Sequence, residues 1–261
     1  MTYRCLTAAA LVALFAVTQP AAAQFVVSAG GSEFEEGLSV APDAVGGAFI
    51  TGNFFGTATF GSGPAAVTLT SAGNGDAFVA RYDESGSLVF AQQIGGPSFD
   101  EGLGVASDGD GGAFVTGYFS GTLTLGSGSE AVTLTSAGVE DVFLARYDAQ
   151  GGLVFAVSAG GESVERSYGV ALDGVGGVYI AGQFRDEATF GSGAAADTLT
   201  SAGFEDVFLA RYDDRGELVY AVRAGGSSFD RGLSVSADGA GGAFVTGPFF
   251  GTVTSGADPT P

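Results

Sequence analysis

Asp141-Val142-Phe143-Leu144-Ala145-Arg146-Tyr147-Asp148, closed by Gly151, returns 65 residues later as Asp206-Val207-Phe208-Leu209-Ala210-Arg211-Tyr212-Asp213, closed by Gly216. The segment is short and rich in Val, Leu, Phe and Tyr, so it reads as a strand running into a tight turn. Val142 and Leu144 point one way, while Phe143, Ala145 and Tyr147 point the other. A sheet with one wet face alternates polar and apolar residues; a strand apolar on both faces predicts a sheet covered on both sides.

The same offset governs the rest of the chain. Gly30-Gly31 recurs as Gly95-Gly96, Gly160-Gly161 and Gly225-Gly226, without insertion or deletion. Three full units follow, at about 31–95, 96–160 and 161–225, with a partial unit at 226–261. Residues 24–30 match the last strand of a preceding unit. Within the second unit, strands are expected at 102–106, 112–119, 122–125, 131–135, 141–147 and 153–158, with no helical period anywhere after residue 23.

Two turns per unit share one chemistry. Asp43, Asp108, Asp173 and Asp238 precede Gly46, Gly111, Gly176 and Gly241 by three residues, and Asp83, Asp148 and Asp213 precede Gly86, Gly151 and Gly216 likewise. An Asp side chain accepts a hydrogen bond from the backbone two residues on, and glycine tolerates the positive φ that closes a hairpin. Two such hairpins give a meander of four principal strands, and the glycines are assigned to turns. The stretch 121–138 reads as an additional β-excursion or a long connection.

Residues 1–23 read as a signal peptide. Arg4 supplies the positive start, residues 6–17 are apolar but too short to span a bilayer, and Ala21-Ala22-Ala23 suits cleavage before Gln24. Export from the cell follows as an expectation, with no membrane insertion. Cleavage removes Cys5, the one cysteine, so no disulfide is expected. Residues 24–261 hold eight arginines, no lysine and 29 acids, a net charge of −21. Such a surface repels nucleic acid and anionic membranes.

The repeat resembles the bacterial β-propeller family with SBBP repeats. The residues that carry the likeness in the last copy are Gly226, Asp230, Leu233 to Val235, Asp238, Gly241-Gly242 and Ala243 to Gly247. In the second half of the unit it is carried by Asp206 to Asp213 and Gly216 to Ala221. The departures are the absence of Trp, with Phe90, Phe155 and Tyr220 in the last strand, and Arg81, Arg146 and Arg211 where the family has lysine. The resemblance implies an all-β propeller of four-stranded blades. About four are expected, one of them incomplete or a composite of 227–254 with 25–29, as in closed rings that join their termini in one blade.

No His, Lys or Cys remains after residue 23, which excludes a Ser-His-Asp triad, a thiol nucleophile, a Schiff-base lysine and histidine-ligated zinc. Carboxylate, hydroxyl and arginine chemistry is left. Glu35, Asp100, Glu165 and Asp230 place an acid before the first strand of every unit, followed by Glu36, Glu101, Arg166 and Arg231. If those strands are innermost, these eight residues form a ligand-binding ring at the mouth of the channel. The competing reading is that each carboxylate caps its own turn and that the Glu-to-Arg change reflects pairing between units. Asp108 and Asp110 make a weak calcium loop, since the second acid is absent from the other copies. Arg81, Arg146 and Arg211 read as inter-strand or inter-blade ion pairs.

The expected function is a non-enzymatic, secreted or surface-associated scaffold that binds a protein or glycan, without a cofactor, and with self-association through unpaired edge strands as an option. The alternatives are a glycan-active enzyme, which needs two acids about 5–10 Å apart in one cleft, and a fragment of a larger propeller.

Overall fold

The computed structural model describes residues 25–256; the signal segment and its cleavage site lie outside them. Every full unit is one antiparallel sheet. In the second, Asp100–Ser107, Ala113–Phe119, Asp141–Tyr147 and Leu153–Ala159 lie side by side in chain order. The first unit repeats this with Glu35–Pro42, Ala48–Phe54, Asp76–Tyr82 and Leu88–Gly95, and the third with Glu165–Leu172, Val178–Phe184, Asp206–Tyr212 and Leu218–Gly225. Strands fall where the sequence places them. The first of each unit begins about two residues earlier than expected, because Asp100 already pairs with Phe119. The described residues contain short 3-10 turns and no α-helix.

The stretch between the second and third strands is a hairpin: Thr57–Phe60 with Val67–Thr70, Thr122–Leu125 with Val132–Thr135, and Glu187–Phe190 with Asp197–Thr200. Each hairpin leaves its own sheet and reaches back to the outer strand of the preceding unit. Thr124 pairs with Gly95 and Leu125 with Ile94, Gly160 bridges Thr189, and Thr254–Gly256 of the fourth unit pairs with Leu218–Gly225. The outer edge of one sheet is therefore sealed by the next unit.

That latch corrects the assignment of the paired glycines to turns. A Cβ on Gly96 would lie 1.7 Å from the carbonyl oxygen of Thr122, and one on Gly161 1.8 Å from that of Glu187. The second glycine of each pair is a point of close backbone approach. Gly46, with φ of 97°, is a true turn glycine.

The core lies between sheets. Phe49, Ala77, Val79 and Phe90 of the first unit pack on Val105, Val115, Phe143 and Tyr147 of the second. Phe114, Val142 and Leu144 of the second pack likewise on Ile180, Phe208 and Tyr212 of the third. A buried strand face on each side matches the both-faced apolar pattern of Asp141–Tyr147, and the arrangement is propeller-like.

Both ends of the array depart from a closed ring. Ala29–Gly31 pairs with Thr57–Phe60 as the outer strand of a preceding sheet would. Phe25 packs on Gly86 as Phe90 packs on Gly151 and Phe155 on Gly216. The fourth unit is a two-stranded hairpin, Ser234–Ala237 with Ala243–Thr246. Among the described residues no strand pairing joins it to Ala29–Gly31. The physical sign is Phe244, 70% exposed, where the equivalent Phe49, Phe114 and Tyr179 are completely buried.

Candidate interaction surface

The acid that opens each unit is buried. Glu35, Asp100, Glu165 and Asp230 accept the backbone N–H of Gly31, Gly96, Gly161 and Gly226 at 2.9, 2.8, 2.7 and 2.8 Å. Asp230 also accepts the N–H of Phe250 at 2.8 Å. These four carboxylates fasten the chain between units and face away from solvent, as the turn-capping alternative describes.

A second buried acid, Asp76 or Asp141, meets Asp100 and Glu165, and Asp206 holds the same repeat position in the third unit. Asp76, Asp141 and Asp206 accept the N–H of Ala72, Ala137 and Ala202 at 3.1, 3.0 and 3.0 Å. A Cβ on Gly160 would sit 2.6 Å from the Asp141 carboxyl carbon and 2.8 Å from Glu165 Oε2, so the two carboxyls flank that glycine. Burial, reinforced by Asp76, pushes Asp100 up to about 7, and burial with Asp141 beside it pushes Glu165 up to about 8. The units treat their pairs differently. Gln93 donates to Asp76 at 2.5 Å and Arg223 to Asp206 at 3.1 Å, whereas the matching residue of the second unit is Ser158. Asp141 Oδ1 and Glu165 Oε1, like Glu35 Oε2 and Asp206 Oδ1, are buried with no hydrogen-bond partner among the described residues.

The next position is partly open to solvent and crosses between units. Arg166 makes a two-pronged ion pair with Glu140 of the preceding unit, with Nη2 to Oε1 at 2.9 Å, and its guanidinium lies 4.5 Å over the ring of Tyr118. Arg231 donates to Glu205 of the third unit at 3.0 Å. In the first unit Gly75 stands where Glu140 and Glu205 stand, and there the following position is Glu101, which accepts from Asn53 at 3.3 Å. The Glu-to-Arg change thus tracks the charge supplied by the adjacent unit. Burial, with Glu36 nearby, holds the Glu101 carboxyl above its usual range.

Aromatic rings adjoin this row. Phe34 and Phe55 lie 6.1 Å apart, Phe55 and Phe99 5.8 Å, and Phe99 and Tyr118 6.2 Å, leading to Arg166. Phe204 and Phe229 stack at 5.0 Å beside Glu205 and Arg231, and both are exposed. Sequence reasoning singled out Glu36, Glu101, Arg166 and Arg231 and missed Asn53, Tyr118, Glu140, Tyr168 and Gln183. Tyr168 donates to Gln183 at 3.0 Å. Their signal was variation at the 65-residue offset: Asn53, Tyr118, Gln183 and Pro248 occupy one position of the repeat.

Asp108 is occupied. Its Oδ1 accepts the N–H of Asp110 and of Gly112, and its Oδ2 accepts from Arg146 at 3.0 Å. Arg81 and Asp43, and Arg211 and Asp173, form the same pair. Arg81 also donates to the carbonyl of Ala149 in the next unit at 3.1 Å. No group of three or more His, Cys, Asp or Glu that could hold a metal ion occurs among the described residues, and no helix among them is long and apolar enough to cross a membrane.

Sheets in register, packed face to face with their cores between them, define a propeller-like β repeat protein. Among curated proteins, the chain is 28% identical over 162 residues to an uncharacterized WD repeat-containing protein of Acanthamoeba polyphaga mimivirus, covering 56% of this chain and 11% of that one. It is 29% identical over 115 residues to the regulatory protein FlaEY of Caulobacter vibrioides, covering 44% of this chain and 12% of that one. The matched regions therefore span only about a ninth to an eighth of these relatives. No family model matches the chain.

Proposed function

We infer that the protein is a non-enzymatic, exported propeller-repeat scaffold of the SBBP type that binds a protein partner through the row described above. The carrying observation is the contiguous path from Phe34 through Phe55, Phe99 and Tyr118 to Arg166, in which exposed Phe34 and half-buried Phe55 and Phe99 lead over buried Tyr118 to a paired arginine. Aromatic and arginine side chains supply much of the energy of protein interfaces. This row is also where the units differ, while the positions they share are consumed by turns and junctions. The WD repeat-containing and regulatory names of the two relatives support the same reading.

The test is capture of binding partners by the protein and by its Phe99→Ala and Arg166→Ala variants, beside incubation with a polysaccharide panel. A partner lost with Phe99→Ala but retained by a change on the opposite edge, such as Val154→Ala, supports the proposal. Reproducible polysaccharide cleavage that vanishes with Asp100→Asn or Glu101→Gln overturns its non-enzymatic part.

A further inference from the structure

The junction between the first and second units has a composition of its own. Val105 N–H donates to Ser39 Oγ at 3.3 Å, and Phe55 faces Phe99 at 5.8 Å. Phe49 is completely buried there and Val105 is 6% exposed. The following junctions do not keep these residues. Ser39 is replaced by Gly104 and then Gly169, and the Phe55–Phe99 couple by Ser120 with Val164 and then Arg185 with Phe229.

The same set returns at the first and fourth of the described units. On the trailing face of the fourth unit, Ser234, Phe244 and Phe250 occupy the positions of Ser39, Phe49 and Phe55. On the leading face of the first unit, Val40 and Phe34 occupy those of Val105 and Phe99. All five are exposed, Phe250 at 57%, Phe34 at 55% and Val40 at 53%. Gly37 and Thr246 complete the match, being the counterparts of Gly102 and Thr51, which meet closely at the first junction. Two surfaces at opposite ends of the array therefore carry the two halves of an interface that the chain already builds once internally.

We propose that a second copy of the chain occupies these faces head to tail. The fourth unit of one copy receives the first unit of another, Ser234 Oγ accepts the N–H of Val40, and Phe250 meets Phe34. This contact is heterologous: it joins different patches, so it closes into a ring where the rotation allows and otherwise propagates. It covers apolar surface that a monomer leaves in water, and Phe34 is the one residue it shares with the row proposed to bind a partner.

The experiment is light scattering after size exclusion on the wild-type protein, on Val40→Glu, on Phe244→Glu and on their equimolar mixture. Both side chains are solvent-exposed, and circular dichroism and melting that match wild type at high dilution, where assembly is absent, confirm that the variants fold. Wild type is expected to form dimers or larger species as concentration rises, and each variant to be monomeric. The mixture is expected to give a 1:1 heterodimer and nothing larger, because one intact tail meets one intact head. A wild type that stays monomeric at its highest soluble concentration overturns the proposal. So does loss of assembly in Phe244→Glu but not in Val40→Glu, which marks a tail-to-tail contact, and so does a mixture that stays monomeric.

Discussion

Arg166 belongs to the third unit, yet its guanidinium lies over the ring of Tyr118 and against the carboxylate of Glu140, both in the second. The contact ties neighbouring sheets together at the edge where the units differ most. Half-buried, with both partners hydrogen-bonded, it couples more strongly than an exposed ion pair. A double-mutant cycle of Arg166→Ala with Glu140→Ala, read by urea unfolding, is expected to give a coupling on the order of 1 kcal/mol. The equivalent cycle of Arg231 with Glu205 is more exposed and is expected to give less.

Glu165 has a raised pKa in the folded state, so the native protein holds a proton that the unfolded chain releases. Its contribution is fully present below the unfolded value near 4.5 and is lost as pH rises to about 8. Glu165→Gln keeps an oxygen for the N–H of Gly161 and removes the buried charge. Relative to wild type, the variant is expected to gain stability on the order of 2 kcal/mol at pH 8 and little at pH 4. Unfolding midpoints measured across that range check it, and an equal effect at both ends counts against a retained proton.

Two glycines separate close approach from turn conformation. Gly96→Ala drives a Cβ to within 1.7 Å of the Thr122 carbonyl oxygen, and the expected cost is about 3 kcal/mol or more, with the hairpin displaced from the outer strand. Gly109→Ala meets nothing within 4 Å but sits at φ of 84°, so about 1 kcal/mol is expected. Thermal melts of the two variants distinguish the cases.

Asp108 spends both oxygens on turn amides and Arg146. Millimolar calcium or a chelator is therefore expected to leave the melting temperature unchanged, while Asp108→Ala lowers stability by about 2 kcal/mol. A melting temperature that rises with calcium and falls on chelation would contradict this.

Much of the fold was legible in the sequence, because glycine pairs and Asp-x-x-Gly turns recur without slippage and strands such as Asp141–Tyr147 are apolar on both faces. The hairpins were ambiguous, since Thr122–Leu125 alternates like any edge strand and nothing local says that its partner lies in the preceding unit. The carboxylates of Asp100 and Glu165 suggested a solvent-facing ring; composition does not reveal that the glycine four residues earlier turns its N–H toward them. The surface row was half visible. Arg166 and Arg231 could be read as unit-specific, but Glu140 and Tyr118 acquire meaning only when adjacent sheets are stacked.

The backward reach of each hairpin also gives the array a direction in time. While the chain is being made from its N-terminus, the sheet of the first unit is unfinished until Thr122–Leu125 has emerged and laid itself along Leu88–Gly95. Each unit is thus completed by its successor, and breaking one seam strips the margin of its neighbour. Such nearest-neighbour dependence favours concerted melting over loss of units one by one.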